Sequence, residues 1–115
     1  VTLSSWVAQR GSSNPHLLAY AASKGAVKAL TQTLARAHAR EGVLAYIVAP
    51  GVVATRMSLD AADAQGGVDA VSAGLAMGEW VPPQELADLI TFLASGRARH
   101  LTGATLDVNG ASYVR

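Results

Sequence analysis

The chain contains no cysteine. Disulfides, thiolate metal sites and a cysteine nucleophile are excluded together, and the composition fits a cytoplasmic protein. Charge of a single sign is also missing, since nine Lys+Arg stand against eight Asp+Glu for a net of +1. The basic residues are scattered from Arg10 to Arg115, so there is no electrostatic footprint for nucleic acid or for an anionic membrane. His16, His38 and His100 lie far apart without ligand-like spacing, which argues against a metal site. No apolar run approaches the roughly 18 residues of a membrane span, and no basic-then-apolar segment opens the chain. Position 1 is Val, inside an apolar run, an opening that predicts a cut within a longer protein.

What is present suffices for one compact domain: 115 residues, half of them hydrophobic and 15% charged. Val1-Thr2-Leu3 is a β-prone stub running into Ser4-Ser5, and the stretch from Gly11 to Pro15 is dense in loop formers. From about Leu17 the pattern predicts a helix with Val27, Leu30, Leu34 and Ala37 as its apolar stripe, stopped by Gly42. Val43 to Ala49 predicts a strand buried on both faces and ended by Pro50-Gly51. The weakly patterned stretch from Met57 to Gly78, with Gly66-Gly67 at its middle, predicts a mobile loop carrying one or two short helices. A second clear helix starts at Pro82-Pro83, carries Leu86, Leu89, Ile90 and Leu93 on one face, and closes at Gly96. Thr105 to Val108 then alternates as a strand. Strands separated by helices require crossovers, and so a parallel sheet with helices on its faces.

Tyr20 and Lys24 stand four apart on the long helix and share a face. A nearby ammonium favours the phenolate, which moves a weak acid toward proton exchange with an alcohol or carbonyl oxygen. Ser5, at the end of the preceding strand, can supply a second donor to that oxygen. Taken alone, such a pair is weak evidence, because chance and ordinary surface pairing explain most instances.

The pair is embedded in a longer pattern. Leu3-Ser4-Ser5, Tyr20-Ala-Ala-Ser23-Lys24-Gly25-Ala26 and Ala49-Pro50-Gly51-Val52-Val53-Ala54-Thr55 follow in order. They continue into Pro82-Pro83-Gln84-Glu85-Leu86-Ala87, Phe92-Leu93-Ala94-Ser95, Leu101-Thr102-Gly103 and Leu106-Asp107-Val108-Asn109-Gly110. Nearly end to end, the chain resembles the short-chain dehydrogenase/reductase family, nearest in wording to its 3-oxoacyl-carrier-protein reductase-like members. The resemblance implies a three-layer α/β/α Rossmann-like parallel sheet, represented here by its last three strands and their helices. It implies that residues 1–115 are the C-terminal catalytic part of one such domain, the N-terminal part that grips the dinucleotide phosphates being absent. It implies an NAD- or NADP-dependent oxidoreductase that interconverts a carbonyl and an alcohol, a small-molecule substrate, and a homodimer or homotetramer when complete. Tyr20 would be the acid/base and also a cofactor contact, Lys24 its partner and a holder of the nicotinamide ribose, and Ser5 the donor to the substrate oxygen. Pro50 and Gly51 would bring the chain against the nicotinamide, with Val53 meeting the carboxamide through its backbone and Thr55 through its side chain.

Several positions depart from the family or stay open. Ser5 lies further before Tyr20 than the family usually shows, the extra length falling in the loop from Ser12 to His16, and Ser4 is a weaker rival for its role. Tyr46 stands where the family often has asparagine. The glycine-rich turn after the family's first strand is absent, and Gly66-Gly67 cannot replace it, following no strand and opening no obvious helix. Thr55 also suits a helix cap. Met57, Leu59, Leu75, Met77 and Trp80 are candidates for a substrate lid or, for at least half of them, for core packing. His16 and Arg56 read as exposed polar residues. An isolated piece would leave a bare strand edge and uncovered apolar helix surface, and is expected to fold poorly alone. A natural short chain would instead be an inactive paralogue that assembles with complete relatives.

Overall fold

The computed structural model describes residues 1–115. Its sheet has three parallel strands, β1 (Thr2–Leu3), β2 (Ile47–Pro50) and β3 (Thr105–Val108), in the spatial order β1-β2-β3. Ile47 stands opposite both Thr2 and Thr105, and Val48 opposite both Leu3 and Leu106. Two helices make the crossovers that parallel pairing demands: α2 (Leu18–His38) between β1 and β2, and α5 (Pro83–Ala94) between β2 and β3.

The central strand sets the layering. From Ala45 to Ala49 no residue is more than 5% exposed, so both faces are covered, as the unbroken apolar run predicts. Tyr46 and Val48 point to one face, where Val81, Leu86 and Leu93 complete the core and Leu89, Ile90, Leu106 and Val108 pack around it. The stripe expected on α5 is therefore the stripe that is buried. On the opposite face α2 lies close: the Thr2 and Thr31 hydroxyls are 2.9 Å apart, and a Cβ at Gly103 would stand 3.4 Å from the Ala35 Cβ. The result is the three-layer α/β/α arrangement, in partial form.

The stripe expected on α2 is on the wrong side. Leu30 and Leu34 are 68% and 41% exposed, whereas Thr31 and Ala35 are almost fully buried. Close seating of a helix on a sheet selects small side chains at the contact, so the larger apolar residues turn outward. The limits of α2 hold: its last turn tightens to a 3₁₀ turn at Ala39–Glu41, and Gly42 ends it in the left-handed region at φ 81°.

β2 begins later than the apolar run and includes Pro50. The proline is tolerated because the ladder uses its carbonyl, which accepts from the Trp6 N–H at 2.9 Å. Ahead of the strand, Thr102 Oγ1 accepts from the Ala45 N–H at 3.0 Å and the Tyr46 hydroxyl donates to the Ala98 carbonyl at 3.1 Å. Tyr46 thus braces the segment before β3.

The stretch after β2 holds two short helices, α3 (Arg56–Asp63) and α4 (Val68–Ala73). Gly66 and Gly67 take φ values of 90° and 92° between them. The glycine pair does open a helix, contrary to expectation, but it follows α3 rather than a strand. The core reading for the lid residues is also corrected. Met57, Leu59 and Met77 are 68%, 47% and 64% exposed, and Leu75 and Trp80 are half-buried. None of the five packs against the core cluster of Tyr46, Val48, Val81, Leu86 and Leu93.

One further helix, α1 (Val7–Arg10), has no counterpart in the sequence reading. At the other end of the chain, Arg115 Nε donates to Asp107 Oδ2 at 2.7 Å, fastening the last residues along β3. This hydrogen bond raises the guanidinium further above its ordinary value. No helix is long and apolar enough to cross a membrane.

Candidate active site

Every candidate residue lies at or just beyond the carboxyl end of a strand, or on the helix that follows one, which is where open parallel sheets place their ligand crevices. β1 delivers Ser4 and Ser5. Ser4 Oγ donates to the Lys24 carbonyl at 2.8 Å, so its proton is committed to α2. Ser5 Oγ accepts from the Val7 N–H at 3.3 Å and makes no other protein hydrogen bond, leaving its own proton unspent. Ser5 lines the main cleft and Ser4 does not. The two serines thus differ: Ser4 is tied to α2, and Ser5 faces the cleft.

Tyr20 stands in the first turn of α2 and lines the same cleft, which encloses about 380 Å³. Its hydroxyl meets no protein partner, while its carbonyl accepts from Ser23 Oγ at 2.7 Å. One turn further on, the Lys24 ammonium lies 5.7 Å from the centre of the Tyr20 ring and donates to the Leu3 carbonyl at 3.0 Å. An ammonium has three donors, so two remain free. Ser5, Tyr20 and Gly51 share the cleft wall, whereas Lys24, Pro50, Val53 and Thr55 are not part of it.

Gly51 is required by close approach. A Cβ there would fall 2.8 Å from the Asn109 Cβ and 3.5 Å from Trp6 Cε3. Beyond it the chain runs beside the segment before α5 through a parallel bridge of Val53 and Val81. The Val81 N–H donates to the Val52 carbonyl at 2.8 Å, and the Ala54 N–H to the Val81 carbonyl at 3.0 Å. The Val53 N–H is left without a protein acceptor. Thr55 is the N-cap of α3 by position, yet its hydroxyl caps no amide and lies 3.3 Å from Ser58 Oγ. His16 is exposed, its N–H donating to Asn14 Oδ1 at 3.0 Å. The Arg56 side chain is 96% exposed and stands 4.0 Å from Asp60.

Trp6 and Arg10 belong to the cleft and were not singled out by sequence. The Arg10 guanidinium lies 4.1 Å from the centre of the Trp6 ring, and both line the wall beside Ser5. The available signal was an aromatic and a cation at i, i+4 directly after the serine, a spacing that brings side chains together only if a helical turn forms there.

Comparison with known proteins fixes the family. The family model described as enoyl-(acyl carrier protein) reductase matches residues 1–111. The chain belongs to the short-chain dehydrogenase/reductase family. Among curated relatives of this oxidoreductase family, a glucose 1-dehydrogenase of Gluconobacter oxydans is 41% identical over 84% of this chain and 36% of its own length. The human (3R)-3-hydroxyacyl-CoA dehydrogenase is 38% identical over 83% of this chain and 36% of its own. The 3-oxoacyl-(acyl-carrier-protein) reductase FabG of Escherichia coli is 37% identical over 83% and 38% respectively. The chain therefore spans little more than a third of the length of these relatives. Among solved structures, a variant of actinorhodin polyketide ketoreductase with NADPH superposes with a TM-score of 0.86 at 26% identity, over 96% of this chain and 45% of that one. ElxO with NADP bound gives 0.81 at 28%, over 96% and 44%. The three parallel strands and their flanking helices are thus a partial short-chain dehydrogenase/reductase fold.

Proposed function

We propose that this chain is the catalytic part of an NAD- or NADP-dependent reductase/dehydrogenase that interconverts a carbonyl and an alcohol, and that the pyrophosphate is gripped by a part of the whole protein preceding residue 1. The observation that carries the reading is the convergence of two hydroxyls on one cleft: Ser5 with its proton unspent and Tyr20 with no protein partner. Lys24 stands one turn behind Tyr20 with two free donors. NADPH and NADP in the solved relatives point the same way.

The residues present fit the nicotinamide end of such a cofactor. The unpartnered Val53 N–H and the uncapping Thr55 hydroxyl suit a carboxamide, and the free donors of Lys24 suit a ribose. Pro50 and Gly51 turn the chain there without a side chain in the way, since a Cβ at Gly51 has no room. When bound, the nicotinamide supplies or accepts the hydride. Ser5 Oγ donates to the substrate oxygen and holds it toward Tyr20. In the reducing direction the Tyr20 hydroxyl passes its proton to that oxygen, and in the oxidising direction it takes the proton back. The ammonium of Lys24 faces the negative charge that develops on the phenolic oxygen. Replacing Tyr20 by Phe in the intact protein tests this assignment, and retained turnover would overturn it.

The outward face of α2 supports a homodimer or homotetramer. Leu30 and Leu34, one turn apart on this face, are 68% and 41% exposed, an apolar pair that a partner could cover. Changing Leu30 and Leu34 together to Glu is expected to shift the intact protein to a smaller assembly in sedimentation, with helix content kept. An unchanged sedimentation coefficient would remove α2 from the interface.

A further inference from the structure

We propose that Arg10, stacked on Trp6, selects a substrate carrying a carboxylate remote from its reacting carbonyl or alcohol carbon. The proposal rests on the reading of Ser5 and Tyr20 as the reacting end of the cleft. Arg10 is the only formally charged residue in the cleft wall. It is equally the only one around a second, adjoining hollow of about 270 Å³, which Trp6 and Arg10 also line but which Ser5 and Tyr20 do not reach. The guanidinium thus stands where the cleft leads away from the reacting groups.

Within residues 1–115 the exposed Arg10 has no role in holding the fold together beyond its contact with Trp6. Its side chain makes no ion pair and no hydrogen bond: the acidic side chains that form ion pairs do so with His38, Arg56 and Arg115. The guanidinium carbon lies 4.1 Å from the centre of the Trp6 ring, a contact that holds the charge over the ring while its N–H donors meet no protein acceptor. The backbone beneath it is tied down at both ends of α1. Ser5 Oγ accepts from the Val7 N–H, the Gly11 N–H donates to the Val7 carbonyl at 2.9 Å, and Lys28 Nζ donates to Gln9 Oε1. The charge therefore sits at a set position relative to Ser5. The rest of the wall is mixed, with the apolar Leu17, Met57, Ala61 and Val71 beside the uncharged polar Ser12, Asn14, Ser58 and Gln65. A planar, oriented guanidinium with an unused edge matches a carboxylate in the two-pronged geometry that Arg favours. An apolar spacer joined to a carbonyl would complete the fit.

The test uses the intact protein with levulinate and its longer straight-chain homologues, each compared with its own amide. At the best chain length kcat/KM for the carboxylate is expected to exceed that for the amide by roughly 10- to 100-fold, the range of a hydrogen bond to a charged group. Arg10→Met is expected to abolish that preference by lowering only the carboxylate value, and Arg10→Lys to restore part of it. No preference in the wild type, or an equal fall for acid and amide in Arg10→Met, would overturn the proposal. A turnover-free measurement separates this from the reaction itself: hexanoate should bind the intact protein in isothermal titration calorimetry, and not after Arg10→Met. If no probe is reduced yet hexanoate binds through Arg10, the reaction reading falls and the anion site stands. Absence of hexanoate binding overturns the anion site whatever the turnover.

Discussion

Replacing Tyr20 by Phe is expected to lower carbonyl turnover by the intact protein roughly 100- to 10,000-fold, the usual worth of a positioned acid/base group. The substitution removes one oxygen and keeps the ring. Because the Tyr20 hydroxyl makes no protein hydrogen bond, its loss leaves no buried donor or acceptor unpaired, and the fold should be unaffected. The groups proposed to hold the nicotinamide end, Lys24, Val53 and Thr55, are untouched. Cofactor affinity should therefore survive while kcat collapses, a split that steady-state kinetics and a cofactor titration resolve together. A variant that keeps wild-type kcat would show that the proton comes from elsewhere. Parallel loss of cofactor binding and turnover would make Tyr20 a binding residue rather than the acid/base.

The largest effect on stability is expected at Leu93. It is 1% exposed and lies in the cluster formed by Tyr46, Val48, Val81 and Leu86. Leu93→Ala should cost about 2–5 kcal/mol through lost burial and the cavity left behind, read as a lower denaturation midpoint at unchanged slope. The consequence reaches the site, because Val81 both packs in this cluster and forms the bridge with Val53. Loosening the core should weaken the support of the Val53 segment, so cofactor affinity should fall alongside stability. A cost below about 0.5 kcal/mol, the size of an ordinary surface change, would mean that α5 is not seated on β2 as described.

What could be read from the sequence follows from how local each determinant is. The second long helix was legible because Pro83 starts it, a four-residue apolar stripe runs along it, and Gly96 ends it at φ 74°. The strand Thr105–Val108 was legible from simple alternation between two glycines. The burial of Leu30 and Leu34 was misread because periodicity reports that a helix has an apolar face, not which surface that face meets. Thr31 and Ala35 won the contact with the sheet by being small. The four-residue α1 is shorter than any period can register, so the Trp6–Arg10 stack that it creates stayed hidden. The Val53–Val81 bridge joins residues far apart in sequence and has no local signature. Ser5, Tyr20 and Lys24 were named from their spacing and from family resemblance. The structure adds the hydrogen-bond assignment that separates Ser5 from Ser4.

The proposed reaction delivers hydride directly to a carbon whose oxygen is held by Ser5 and Tyr20. The measurement that tests it most directly follows an isotope: the intact protein is given a carbonyl substrate together with reduced nicotinamide cofactor deuterated at the transferring carbon, and the alcohol product is analysed by mass spectrometry. One deuterium on the carbinol carbon, with the hydroxyl proton drawn from solvent, is the predicted result. Solvent hydrogen on that carbon, or no alcohol formed with cofactor bound, would contradict the proposed reaction.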